Sequence, residues 1–220
     1  MNAVMQIPPE THALVETGII AMAKHVEAMI HTAIEALLGL NQELARSVLE
    51  KEPDVNELET LIDSEILATL NAGAASPQEV REAAAMLKVN KDLERLADLA
   101  TNIAHRVLTQ SANGEAKQLA ELQPLAIAAA HIARKTLRAL IHQDLLLASN
   151  ALASGALVDG YRSYVFDRLQ EKRGDLQDHP EASYLMVASH YLEQIADHSR
   201  NVAESLLYWL DGQKSRSQAA

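Results

Sequence analysis

Glu94, Asp98 and Asn102 recur as Glu193, Asp197 and Asn201, each pair 99 positions apart. Upstream, Val55-Asn56 recurs as Val158-Asp159 and Asn41 as Asp144 at a separation of 103, so the second copy is four residues shorter between its second and third elements. Ordered matches at two nearly equal offsets are the mark of an internal duplication. Any fold for this chain must therefore consist of two similar halves.

Each half carries helical periodicity. From Val15 to Val48 the apolar residues Ile19, Met22, Val26, Met29, Ile30 and Leu37 fall at three- and four-residue spacings, which predicts one long amphipathic helix. Pro53 opens a second helix through Val55, Leu58, Ile62 and Ile66, with a stop at Asn71-Ala72-Gly73. Ser76-Pro77-Gln78-Glu79 has the residues of a capping box, with Pro in the first turn, and starts a third helix that ends before Asn113-Gly114. The plan then repeats: a long helix from Pro124 to Ala153, a break at Ser154-Gly155 and a shorter helix from Val158 to Lys172 closed by Gly174. Asp178-His179-Pro180-Glu181 supplies the next cap, and a sixth helix runs to Leu210, ahead of Asp211-Gly212. With one Phe, one Trp, 8 Gly and 6 Pro in 220 residues, the composition suits long helices and not a sheet. The expected fold is all-α: two pseudo-symmetric three-helix bundles, six helices in all, at 15–112 and 118–212, with a polar tail at 213–220.

A net charge of −11 with no dense Lys/Arg cluster repels a phosphate backbone, so no nucleic acid partner is expected. The absence of cysteine removes disulfides, thiolate zinc sites and thiol chemistry. No apolar run approaches the roughly 20 residues of a membrane helix, and the start, Met1 to Pro9, lacks a basic segment and an apolar core. The expected location is cytoplasmic, with peripheral association at the inner face of the membrane left open.

The duplicated acidic residues lie on one helix face. In the third helix Glu94, Asp98, Asn102 and His105 form a stripe about 80° wide, at about 100° per residue, opposite Leu96, Leu99, Ile103 and Val107. Glu193, Asp197, Asn201 and Glu204 form the matching stripe on the sixth helix. On the second helix Asn56, Glu59 and Asp63 share a face and can add oxygen donors to the first stripe. Carboxylates one turn apart repel each other unless a cation compensates them. Clustered carboxylate and amide oxygens are the donors that hard or borderline cations prefer, so these residues are candidate metal ligands. A single outward Glu-x-x-x-Asp is ordinarily a solvated helix face, and that reading stands beside the metal one. None of the nine histidines follows a Glu by three residues, so the Glu-x-x-His pair of di-iron bundles is missing. No nucleophile, catalytic triad or Gly-rich phosphate loop is assignable. Tyr184, Tyr191, Tyr208 and Trp209 fit packing better than cofactor binding.

Asp54-Val-Asn56-Glu-Leu-Glu59-Thr-Leu-Ile-Asp63, followed by Asp92-Leu-Glu94-Arg95-Leu-Ala-Asp98-Leu-Ala-Thr-Asn102, resembles the PhoU family. So does Tyr191-Leu-Glu193-Gln-Ile-Ala-Asp197-His-Ser-Arg-Asn201-Val-Ala-Glu204. The resemblance covers about residues 15 to 212. It implies two three-helix bundles with divalent or trivalent metal ions (iron, zinc or magnesium) held on their surfaces by the acidic motifs. It also implies a negative regulator of the phosphate-starvation response, not an enzyme, that links a phosphate ABC transporter, through its ATPase, to a sensor histidine kinase. A homodimer is expected. The sequence departs from the family pattern at several places. The His-Phe-Asp-type start is missing, Ala97 and Ala196 stand for Gly, Gln194 stands where the first copy has Arg95, and His105 stands for Glu. Arg162 occupies the place of Glu59, so the second site loses a carboxylate, although Asp159 and Asp144 can contribute. A metal-storage protein or carboxylate metalloenzyme using the same residues, and a metal-free helical scaffold, are the alternative functions.

Overall fold

The computed structural model describes residues 9–71, 76–111, 119–171 and 180–219. Among these every regular element is helical: α1 (Pro9–Gly39), α2 (Gln42–Leu49), α3 (Glu52–Asn71), α4 (Pro77–Ser111), α5 (Gln123–His142), α6 (Leu145–Leu152), α7 (Gly155–Glu171) and α8 (Pro180–Ala219), with a 3-10 turn at Leu119–Glu121. The stops at Gly73, Asn113-Gly114 and Gly174 and the cap at Asp178 lie outside the described residues. The capping box forms: the Ser76 N–H donates to the Glu79 carboxylate at 2.7 Å, and the Glu79 N–H donates to the Ser76 hydroxyl at 3.2 Å.

The long opening helix of each half is broken, which corrects the six-helix expectation to four helices per half among the described residues. Leu40 and Gln143, 103 positions apart, take left-handed backbone with φ of 48° and 52°. The N–H of Asn41 reaches back to Ala36 O at 3.0 Å, and that of Asp144 to Ala139 O at 2.9 Å, closing a Schellman-type stop. The following side chain starts the next helix at once. Asn41 Oδ1 accepts from the N–H groups of Glu43 and Leu44 at 2.9 and 3.1 Å, and Asp144 Oδ1 accepts from that of Leu147 at 2.9 Å. Apolar periodicity continues across both breaks because α2 and α6 fold back onto the same core, so periodicity alone could not mark them. Asp144 thereby caps α6 through one carboxylate oxygen.

At the other end, α8 continues through Asp211-Gly212 to Ala219, so 213–219 extend the helix where a separate tail is expected.

Helices α1, α3 and α4 pack mutually with α2 laid on α1 and α4, while α5 and α8 pack together under α6 and α7. The halves meet chiefly through α4 against α8, aided by α1 against α5. The core lies between these long helices and holds Ile19, Met22, Met29, Leu93, Leu96, Ile103 and the sole tryptophan, Trp209, all fully buried. Ala97 and Ala196, the positions where Gly was expected, are buried within α4 and α8. Paired arginine–aromatic contacts flank this interface: Arg81 lies 5.5 Å from the Tyr208 ring centroid and Arg106 5.4 Å from that of Tyr184. Between them the Asp92 carboxylate and His198 Nδ1 are 2.8 Å apart.

Candidate functional site

In the first half the acidic patch lies along the seam between α3 and α4. Val55, Ile62 and Ile66 anchor α3 in the core, which turns Glu59 and Asp63 toward the polar stripe of α4. Asn90, fully buried on α4, fixes the seam: its amide nitrogen donates to Glu59 O at 2.9 Å and to the Asp63 carboxylate at 2.8 Å. Lys91 then spans the two helices, with Nζ 2.7 Å from Glu94 and 3.9 Å from Glu59. Its hydrogen bond to Glu94 and the charges of Glu94, Glu59 and Asp98 hold the Lys91 ammonium above its ordinary pKa.

Asp98 is the strained member of the group. Burial, then the neighbouring Glu94, raise its carboxyl above the usual carboxylate range against the lowering effect of Arg95, and Glu52 adds further negative charge. The Arg95 guanidinium lies 3.6 Å from Asp98. Five carboxylates, Glu52, Glu59, Asp63, Glu94 and Asp98, are therefore gathered with two cations, Lys91 and Arg95. Glu52 and Asn90 were missed by the sequence reading. Glu52 lies four residues before Asn56 on the same face of α3 and is passed over when the helix is taken to open at Pro53, whereas α3 begins at Glu52; the amide of Asn90 gains meaning only from a carbonyl 31 residues away.

The second half is built otherwise. Arg162 of α7 donates to Glu193 of α8, and Arg200 donates to Asp197 three residues before it. His190 stands where the first half has Lys91, with Nδ1 3.8 Å from Glu193. Ser189 stands where the first half has Asn90, and its hydroxyl bonds its own helix at Met186 O, 2.8 Å away, without reaching α7. Between α7 and α8 lies an open groove of ≈ 630 Å³ lined by Arg162, Asp167, Met186, Ser189, His190 and Glu193.

Of the candidate ligands, Glu59, Asp63, Glu94 and Asp98 are brought to one seam, while Glu193 and Asp197 share a second. Asn102 is half-buried one turn beyond Asp98; Asn56, Asn201 and Glu204 are exposed. The side chain of Asp159 lies outside the described residues. Among the described residues no three His, Asp or Glu side chains converge into a ready ligand set. The first patch still has the chemistry a hard cation needs: excess carboxylate oxygen, a proton-hungry Asp98 and a bridging lysine whose side chain is 70% exposed and free to swing out. In the second patch Glu193 and Asp197 are each already engaged by a guanidinium, an arrangement that does not fit a metal ion.

Comparison with known proteins gives a consistent picture. The sequence model of the PhoU domain matches residues 19–107 and 124–206. A phosphate-specific transport system accessory protein PhoU homolog of Xylella fastidiosa is 26% identical over 199 residues, covering 90% of this chain and 82% of that one. PhoU homolog 1 of Thermotoga maritima is 26% identical over 200 residues, covering 89% and 85%. The crystal structure of PhoU from Pseudomonas aeruginosa superposes with a TM-score of 0.85 at 25% identity, covering 92% of this chain and 98% of that one. The phosphate transport system regulatory protein PhoU of Streptococcus pneumoniae, at 21% identity and a TM-score of 0.79, shares the fold. Among the described residues no helix is long and apolar enough to cross a membrane.

Proposed function

The chain belongs to the PhoU family, and from that premise we propose that it is a regulatory accessory protein of phosphate-specific transport, acting by contact with other proteins and not by turnover. The observation that carries this reading is the match, over most of both chains, to proteins named phosphate-specific transport system accessory proteins, together with the superposition on PhoU of Pseudomonas aeruginosa. Its partners in the proposal are the ATPase of a phosphate ABC transporter and a sensor histidine kinase at the cytoplasmic face of the membrane, with the signal repressing phosphate-starvation genes when phosphate is plentiful. The open seams and shallow patches support an adaptor better than a catalyst, which needs a concave, water-excluding pocket.

Within the same proposal the first acidic patch holds a divalent or trivalent metal ion through Glu59, Asp63, Glu94 and Asp98. There the ion supplies the positive charge that five gathered carboxylates lack. The chain's own part is to set the oxygens: Asn90 orients Asp63, Val55 and Ile62 fix the rotation of α3, and burial next to Glu94 keeps Asp98 short of compensation.

The regulatory role is tested by deleting the gene and measuring a phosphate-starvation reporter in phosphate-rich medium. Derepression, reversed by the wild-type gene, is expected. Unchanged reporter activity refutes the role.

A further inference from the structure

We propose that the second half carries its own permanent counter-cation: the guanidinium groups of Arg162 and Arg200 take the place of a metal ion on Glu193 and Asp197, so that only the first half answers to metal. This rests on the metal reading of the first patch given above.

Three placements carry it. Arg162 replaces Glu59 at the 103-residue offset, which exchanges a carboxylate for a cation on the helix that faces the stripe, and the guanidinium donates to Glu193. Arg200 replaces Thr101 at the 99-residue offset; Thr101 is buried, whereas Arg200 reaches out to Asp197. The third is Gly155, which replaces Glu52 at the 103-residue offset. A Cβ on Gly155 would lie 2.7 Å from Arg200 Nη1 and 3.1 Å from its Cδ, so the absent side chain is the space the arginine fills. One position thus accounts for two differences: it removes the carboxylate that crowds Asp98 in the first half and admits the cation that neutralises Asp197 in the second.

These three changes act together, two removing a carboxylate and two adding a guanidinium. The first patch sets five carboxylates against two cations, whereas in the second Glu193 and Asp197 face Arg162 and Arg200. An arginine does not deprotonate in a protein, so this compensation holds at every working pH. A metal ion would have to displace both guanidinium groups and then sit beside them, which weakens its binding by on the order of a hundredfold or more for two unit charges at contact distance. The first patch also holds an arginine, Arg95, 3.6 Å from Asp98, but there Arg95 and the mostly exposed Lys91 ammonium are set against five carboxylates, so the two cations leave net negative charge for an ion.

The test uses the full chain purified without a histidine tag, stripped with chelator and titrated with Mn²⁺ and with Zn²⁺ by calorimetry and elemental analysis. Wild type is expected to bind metal in a manner abolished by Asp98→Ala and untouched by Asp197→Ala. The double variant Arg162→Glu, Arg200→Thr is expected to gain additional binding, at least a hundredfold tighter at that patch than in wild type, and to lose the gain when Asp197→Ala is added. Loss of bound metal from wild type on Asp197→Ala overturns the inference and leaves the first-patch reading standing. If wild type binds none but the double variant gains an Asp197-dependent site, the first-patch reading falls and with it the claim that the first half answers to metal, while the role of the two guanidinium groups on Glu193 and Asp197 stands; if neither binds, both fall. Should the double variant misfold, Arg200→Thr alone and the melting of Asp98→Ala with and without chelator decide: a chelator-sensitive melt in Asp98→Ala overturns the inference, and an insensitive one supports it.

Discussion

Replacing Asn90 by Ala should weaken the α3–α4 seam specifically. The side chain is fully buried and its amide nitrogen makes two hydrogen bonds, one to a neutral carbonyl and one to a carboxylate, at 2.9 and 2.8 Å. A neutral bond contributes about 1 kcal/mol and a bond to a charged acceptor about 1.5 to 3 kcal/mol, the lower figure applying here because Asp63 is half-buried and can rehydrate. The Asn90 Oδ1 is buried with no partner, so its removal returns about 1 kcal/mol, while the void left by the lost amide costs about 1 kcal/mol in its turn. The net loss is about 2 to 3 kcal/mol, or a fall in Tm of about 4 to 12 °C for a chain of this length. Urea unfolding followed through the single, fully buried Trp209 measures it. The internal control is Ser189→Ala at the matching place in the second half, where only a bond to the same helix is lost and the change should stay within about 0.5 kcal/mol. If the two variants melt alike, Asn90 does not hold the seam and the account of how the first patch is positioned is wrong.

Three further outcomes follow from the geometry. Asn41→Ala and Asp144→Ala should each cost about 1 kcal/mol through a lost N-cap, and Asp144→Ala should leave bound metal unchanged. A raised carboxyl pKa at Asp98 means the folded state holds that proton more tightly than the unfolded chain. Stability in the metal-free protein therefore falls as pH rises through the window just above the ordinary aspartate value of 3.8, and Asp98→Asn should remove that dependence in urea midpoints taken across it. Burial pushes the Tyr184 phenol up to about 12 with its hydroxyl lacking any partner, so ultraviolet titration should show one late tyrosine that Tyr184→Phe deletes, without loss of stability near neutral pH.

The duplication, the helical class and the capping box at Ser76 are local facts, each set by spacings within a few residues or by the comparison of one stretch with another, and they are legible in the sequence. The pairing of Arg162 against Glu59 is legible too, because an offset of 103 places them at one position in two copies. The breaks at Leu40 and Gln143 are not, since neither is a glycine and the apolar pattern runs on across them; left-handed backbone there is sustained by bonds back into the helix and by a cap just beyond. Nor does the sequence show which carboxylates meet. A helical residue turns about 100° from its neighbour, so a small rotation of α3 on α4 decides whether Glu59 and Asp63 face the stripe or the solvent. The buried Val55, Ile62 and Ile66, together with the Asn90 clip, fix that rotation. Packing likewise hid the space that Gly155 leaves for Arg200, whereas Glu52, four residues before Asn56, is legible as a member of the α3 face once the helix start is set one residue earlier. Periodicity determined the faces, and only the contact between helices decided which charges are left without a partner.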